Sequence, residues 1–173
     1  MGVLEGKRTY IGGPIEFDNN AYDWRTPLKH FLREELKLQV KDPLEDSKQS
    51  AQPELLAARD RKDYEAMRTI AKTFVEKDLG IVDRMDFVVS HIPHKIPTTG
   101  TVHEIIVSIN AKKPTLLVCP QGKHMAGLWY FGIVPHQHIF GSWEDVMNYL
   151  REVNDGKHID DRKWRFVYDF PKI

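Results

Sequence analysis

The chain has 173 residues, 41% hydrophobic and 29% charged, the size and make-up of one soluble globular domain with a sizeable core. Lys+Arg and Asp+Glu both number 25, so the formal net charge is zero. That argues against polymeric DNA or RNA as the main partner, because phosphate neutralisation needs a basic excess, while a small anion needs only one or two local cations. The one cysteine, Cys119, excludes an intrachain disulfide and a thiolate zinc site, and its apolar neighbours Thr115 to Val118 make it a buried strand thiol. Met1 to Arg8 lacks the apolar stretch of a signal peptide, and no segment reaches the roughly 20 apolar residues of a membrane helix. The expected compartment is the cytoplasm, with no membrane partner.

In chain order, Arg8-Thr9-Tyr10-Ile11 is β-prone and stops at Gly12-Gly13-Pro14, a first strand ending in a tight turn. Leu28, Phe31, Leu32 and Leu36 fall at helical spacing between Trp24 and about Leu38, with Asp23 as a candidate cap. Gln39 to Lys41 makes a brief second strand, closed by Asp42-Pro43. A polar stretch leads to Pro53, which is expected to open one long helix through about Leu79, with a break near Gly80. Asp86 to Ser90 is a strand of the buried parallel type. The loop from His91 to Thr99 precedes a helix predicted over Val102 to Ala111. The strand Thr115 to Cys119 follows, then a fifth strand over Gln137 to Phe140 and a helix from Ser142 through Val153, with Glu144 and Asp145 suiting its N-terminal dipole. Trp164 to Tyr168 alternates and is expected as an edge strand. Strands alternating with helices predict a single three-layer α/β domain over residues 1–173, with a mostly parallel five-stranded sheet of flavodoxin-like or Rossmann-like type.

Such sheets bind ligands beyond the carboxyl ends of their strands, where Gly12-Gly13-Pro14, the segment from His91 to Thr101 and the loop after Cys119 should meet. Gly100-Thr101-Val102-His103-Glu104 is the most informative stretch. A carboxylate in the first turn of a helix is favoured in its ionised form by the unpaired N–H groups there, and it can attack an anomeric carbon. A first-turn glutamate also occurs simply because it stabilises the helix. His136-x-His138 and His91-x-x-His94 lack the third ligand of a catalytic zinc site, so no metal is expected. Gly122-Lys123 is not a phosphate-binding P-loop, since Leu117 occupies the first glycine position and His124 the Ser/Thr position. The sequence holds no Gly-x-Ser-x-Gly elbow.

Taken in order, Tyr10-Ile11-Gly12-Gly13-Pro14-Ile15, Asp78-Leu79, Asp86-Phe87-Val88-Val89, Gly100-Thr101-Val102-His103-Glu104 and Lys113-Pro114-Thr115-Leu116-Leu117-Val118 resemble the nucleoside 2-deoxyribosyltransferase family, over about residues 8 to 150. The resemblance implies that Glu104 is the nucleophile attacking C1′ of a (deoxy)nucleoside or nucleoside 5′-monophosphate. It also implies that Asp78 handles protonation or positioning of the base, and that Tyr10 supports the nucleophile. Gly12, Gly13, Pro14, Asp86, Gly100 and Thr101 fall in the matching segments and are candidate substrate contacts. Arg25 is a candidate contact to phosphate or base.

The sequence departs from the family at Thr98, where an acidic sugar contact is usual. It departs again near Met125 and Trp129, where the family brings a polar residue across a subunit boundary. Lys123 and His124 are then candidates for a 5′-phosphate, as in the related nucleotide N-hydrolases. The resemblance implies no metal or organic cofactor, a small-molecule nucleoside or nucleotide as partner, and a homodimer or larger homo-oligomer. Two other readings stand beside it. One is a non-catalytic nucleotide-binding sensor or sequestering module, suggested by Thr98 and Met125; the other is a protein-contact domain using Trp24, Trp129 and Trp143.

Overall fold

The computed structural model describes residues 2–16, 18–45 and 48–168, with only the backbone of 48–51. Five strands form one fully parallel sheet: β1 (Arg8–Gly12), β2 (Gln39–Lys41), β3 (Phe87–His91), β4 (Thr115–Val118) and β5 (Ile139–Phe140). Their order is β2-β1-β3-β4-β5, the doubly wound arrangement whose direction of travel reverses between β1 and β3. The helices are α1 (Arg25–His30), α2 (Lys48–Asp60), α3 (Tyr64–Arg84), α4 (Thr99–Asn110), α5 (Leu128–Ile133) and α6 (Trp143–Asn154). No helix among the described residues is long and apolar enough to cross a membrane.

Alternation along the buried strands sorts their side chains into two cores. Ile11, Phe87, Val89, Leu116, Val118 and Phe140 face one way, against Leu28, Leu32, Val146, Leu150 and Trp164. Tyr10 and Val88 face the other way, against Ile81, Val82 and Met85 of α3. Leu117, Cys119 and Ile139 share that second face and pack on Ile105 of α4. Strands buried on both sides are the reason these segments read as continuous apolar runs. The burial of Cys119 agrees with the reading from sequence.

Several boundaries differ from expectation, each for a local reason. The helix expected from Pro53 to Leu79 is two helices. Lys62 takes the left-handed conformation (φ 56°), and Asp63 caps α3 by accepting from the Ala66 N–H at 3.0 Å. Gly80 does not break α3, which runs on to Arg84. After His30, helix α1 widens into a π turn over Phe31–Glu35, closed by the Leu36 N–H donating to the Phe31 carbonyl at 3.2 Å. Helix α4 begins at Thr99, three residues early, because Pro97 bars the helical conformation only to the residue before it. The fifth strand is limited to Ile139–Phe140, since His136–His138 coils into a 3₁₀ turn after Pro135. The expected edge strand at Trp164 to Tyr168 is a 3₁₀ helix over Arg162–Val167. Asp161 caps it by accepting from the Lys163 N–H at 2.9 Å. Trp164 turns inward against Phe87, with its indole N–H donating to the Tyr149 hydroxyl at 2.8 Å.

Arg25 is fully buried. Its guanidinium donates to Asp42 Oδ1 at 2.8 Å and to the carbonyls of Ile11 at 3.2 Å and Gly13 at 3.1 Å, tying α1, the end of β1 and the end of β2 together. Lys29 completes the pairing of Asp42 at 2.9 Å. Removing one member of a buried ion pair leaves the other uncompensated. Arg25→Met is therefore expected to lower unfolding stability by about 3 kcal/mol in urea titrations; stability within error of the parent would show that this strut carries no load.

Candidate active site

The carboxyl ends of β1 and β3 meet at the reversal point, and the residues that converge there come from four elements. On β1, Tyr10 points to the α3/α4 side and is buried. Its hydroxyl donates to Glu104 Oε1 at 2.7 Å, a charge-assisted bond within the buried interior. Glu104 is buried as well, in the second turn of α4. The early start of that helix corrects the expectation of a first-turn carboxylate: the first turn holds no acid, and Thr99, Gly100 and Thr101 occupy it. Tyr10 from the neighbouring strand holds Glu104 there.

Gly12 makes this arrangement possible. A methyl group there would stand 3.0 Å from Glu104 Oε2, 3.1 Å from Ser90 Oγ and 3.4 Å from the Tyr10 ring, so the carboxylate and both hydroxyl-bearing side chains share the space a side chain would fill. The Tyr10 phenol has its pKa pushed well above the ordinary tyrosine range, first by burial and then by the negative charges of Glu104 and Asp78, with Arg25 opposing. It is thus a neutral hydroxyl that donates. Asp78 is buried on α3, one turn before Ile81 and Val82, which pack on Tyr10. Phe74, one turn earlier still, lines the cavity.

That cavity, of about 220 Å³, opens over Glu104. Gly13, Pro14, Ile15 and Glu16 from the first loop, Pro97 to Thr101 at the start of α4, and Leu55, Leu56 and Arg59 of α2 enclose it. Of the candidates named from sequence, Glu104, Gly13, Pro14, Thr98, Gly100 and Thr101 line it; Tyr10, Gly12 and Asp78 stand just beneath.

Other candidates lie elsewhere. Arg25 faces away, spent on Asp42 and two carbonyls, so the expectation of a phosphate or base contact gives way to a structural strut. Asp86 precedes β3 and therefore sits at the amino edge of the sheet, paired with Arg8 at 3.1 Å, a strand length from Glu104. Lys123, His124, Met125 and Trp129 do not line this cavity; Lys123 Nζ is 3.4 Å from His136 Nδ1, and Trp129 is 80% exposed on α5. The histidine pairs diverge: His138 bonds Asp161 and Tyr149, and His91 lies on the opposite face from Tyr10. Among the described residues, no three His, Cys, Asp or Glu side chains gather as a metal would require.

Sequence reasoning missed Arg59, Glu16, Phe74 and Ser90. Arg59 forms an ion pair with Glu16 across the cavity mouth, and it stands in a mixed-charge stretch that reads as a solvated helix face. Nothing in the local pattern marks it.

The fold corresponds to a known one. No protein-family model matches this sequence, and no curated protein matches it significantly. Among solved structures, a 2-deoxyribosyltransferase from the psychrotolerant bacterium Bacillus psychrosaccharolyticus is similar, with a TM-score of 0.55 and 22% identity, over 82% of this chain and 91% of that one. The chain has the fold of a nucleoside 2-deoxyribosyltransferase. The ordered segments from Tyr10 to Val118 that resemble that family thus lie on a matching fold.

Beneath the first loop is a second cluster. Trp24 and Trp143 stack at 4.7 Å, and His91 meets both edge-on at 4.9 and 5.2 Å. Gly13 is required here, since a methyl group would come within 2.6 Å of the Trp24 ring. Burial, reinforced by Arg25, pushes the His91 imidazole down from 6.5 to about 4, so it is neutral in the folded protein. In the unfolded chain it titrates at its ordinary value. The stability linked to the neutral ring is present above about pH 6.5 and is lost as the pH falls towards 4. Unfolding free energy should fall by a few kcal/mol over that window, and His91→Phe should remove that part of the slope in pH-resolved denaturation; an identical slope in the variant would contradict the assignment.

Proposed function

We propose that this protein cleaves the N-glycosidic bond of a (deoxy)nucleoside or nucleoside 5′-monophosphate with Glu104 as nucleophile. The observation that carries the reading is the buried Tyr10–Glu104 hydrogen bond at the floor of a cavity at the sheet's reversal point. The likeness in fold to a 2-deoxyribosyltransferase supports it. Tyr10 holds Oε1 and so sets the direction of Oε2. The carboxylate attacks C1′, forming a glycosyl ester, while the C1′–N bond breaks and its electron pair stays with the departing nitrogen. Asp78 assists by supplying or positioning the proton that the base takes up. In the second half the nitrogen of another base, or water, attacks C1′, loses its proton to the same acid–base group, and the ester oxygen returns to Glu104 as carboxylate. The first acceptor gives transfer and the second hydrolysis. No cofactor enters these steps.

The assembly is part of the reading. Helix α5 exposes Leu128, Trp129 and Phe131, an apolar face beside Met125. A second copy of the chain covering it would bring Met125 and Trp129 near a neighbouring cavity, in keeping with the family resemblance. Light scattering is expected to give a dimer or larger species, and a monomer at working concentration would remove this part of the proposal.

The activity test is chromatography of released bases after incubation with pooled nucleosides and 5′-monophosphates, with and without a second free base. Base release is expected, with exchange marking a transferase and release alone a hydrolase. Glu104→Gln should lower turnover on the order of 10⁴-fold. Tyr10→Phe should lower it about 10- to 100-fold, the worth of a hydrogen bond to a charged group. No release from any member of the pool would leave a binding module on the same fold, and full activity in Glu104→Gln would end the nucleophile assignment.

A further inference from the structure

Ser90 is the last residue but one of β3, and its side chain is on the same face as Tyr10 and Gly12. It is fully buried, and its Oγ has no hydrogen-bond partner among the described residues. A buried hydroxyl without a partner costs about 1–3 kcal/mol, so such a group in a folded protein calls for an explanation. The surroundings supply one. Glu104 Oε2 and Ser90 Oγ lie 3.0 and 3.1 Å from the single point where a Gly12 methyl would be, and Gly12 contributes nothing to separate them. A rotation of the Ser90 side chain about its own bond would carry the hydroxyl toward that carboxylate oxygen. Tyr10 already holds the other oxygen, Oε1, at 2.7 Å.

We propose that Ser90 is a positioning residue for Glu104, its hydroxyl donating to Oε2 so that the carboxylate is held between two hydroxyls, Tyr10 on one oxygen and Ser90 on the other. Its catalytic meaning rests on the reading of Glu104 as nucleophile. A hydrogen bond to Oε2 is stronger when that oxygen is a carboxylate than when it is part of an ester. Ser90 therefore favours the step in which the glycosyl ester breaks and the carboxylate returns. Without it the ester should accumulate during turnover. Among the described residues, the Tyr10 hydroxyl from β1 bonds this carboxylate, Arg25 from α1 bears on it through charge, and Asp78 from α3 bears on Tyr10 beside it.

The test does not depend on activity. The full chain is labelled with ¹³C at the glutamate carboxyls, the Glu104 signal is assigned by its loss in Glu104→Gln, and its titration is followed by NMR. Losing a donor to the charged form raises the pKa, so Ser90→Ala should move the Glu104 midpoint upward by about one pH unit. Ser90→Cys, with a weaker donor of similar size, should move it by less. Thermal stability of Ser90→Ala should fall only at pH values above the Glu104 midpoint, where the carboxylate is charged, and match the parent below it; a purely structural serine would show the same loss at both. An unchanged midpoint in Ser90→Ala would overturn the proposal whatever the activity. If the midpoint moves and no base is released even by the parent, the hydroxyl pair stands and the glycosidic reading falls. With activity present, the acid limb of kcat/KM should follow the NMR midpoint, and the covalent ester should be more abundant by mass spectrometry in Ser90→Ala.

Discussion

The 2.7 Å hydrogen bond from Tyr10 to Glu104 joins the first strand to the fourth helix, and much of the local architecture exists to permit it. It requires that β1 lie beside β3, so that the α3/α4 layer covers both strands at their carboxyl ends. It requires a residue without a side chain at position 12, directly under the carboxylate. It also requires α4 to turn the buried face that carries Thr101, Glu104, Ile105 and Ser108 towards the sheet. A buried carboxylate is tolerable only where hydrogen bonds and nearby charge replace its lost hydration. Tyr10, itself held in its neutral form by burial and by neighbouring negative charge, supplies the first of these.

Charge is arranged in layers around that bond. Glu104 and Asp78 are both buried on the α3/α4 side. Arg25 is buried on the other side of β1, in the α1 layer, where it reaches the Ile11 and Gly13 carbonyls and pairs with Asp42. Burial works against its charge, and Asp42, Tyr10 and Glu104 oppose that effect. A cation that never touches the cavity thus still bears on its carboxylate, because the interior between them screens poorly.

The two faces of the sheet also differ in stiffness of support. On the α1/α6 face, Trp24, Trp143 and His91 lock together under Gly13, and Arg25 lies 4.3 Å above the Trp24 ring. The loop following β1 is pinned from below by aromatic rings and by two guanidinium hydrogen bonds. Its outer part, Pro14 to Glu16, then forms one wall of the cavity, and the Glu16–Arg59 ion pair links that wall to α2. A pinned floor with a side wall linked to α2 through an exposed ion pair holds the buried carboxylate still beneath a cavity that opens above it.

Apolar runs and glycine–proline punctuation made the parallel α/β sheet legible in the sequence, because strands buried on both faces must be continuously hydrophobic and the turns between them need special backbone. Tyr10, Gly12, Asp78, Gly100, Thr101 and Glu104 were legible as a set because the segments that carry them stand in a recognisable order. Helix starts were less so, since Pro97 and Asp63 set boundaries that apolar spacing does not register. The tail and the start of the expected fifth strand, Gln137 and His138, were misread as strand, because alternation over a few residues does not tell a short strand from a 3₁₀ turn. Only the tertiary structure decided which charged residues face the cavity. It turned Arg25 into a strut, left Asp86 at the far edge of the sheet, and brought Arg59 and Glu16 together from segments more than 40 residues apart. A local pattern records which residues share a face, whereas ion pairs and shared space over Gly12 arise between elements that the chain's own spacing does not relate.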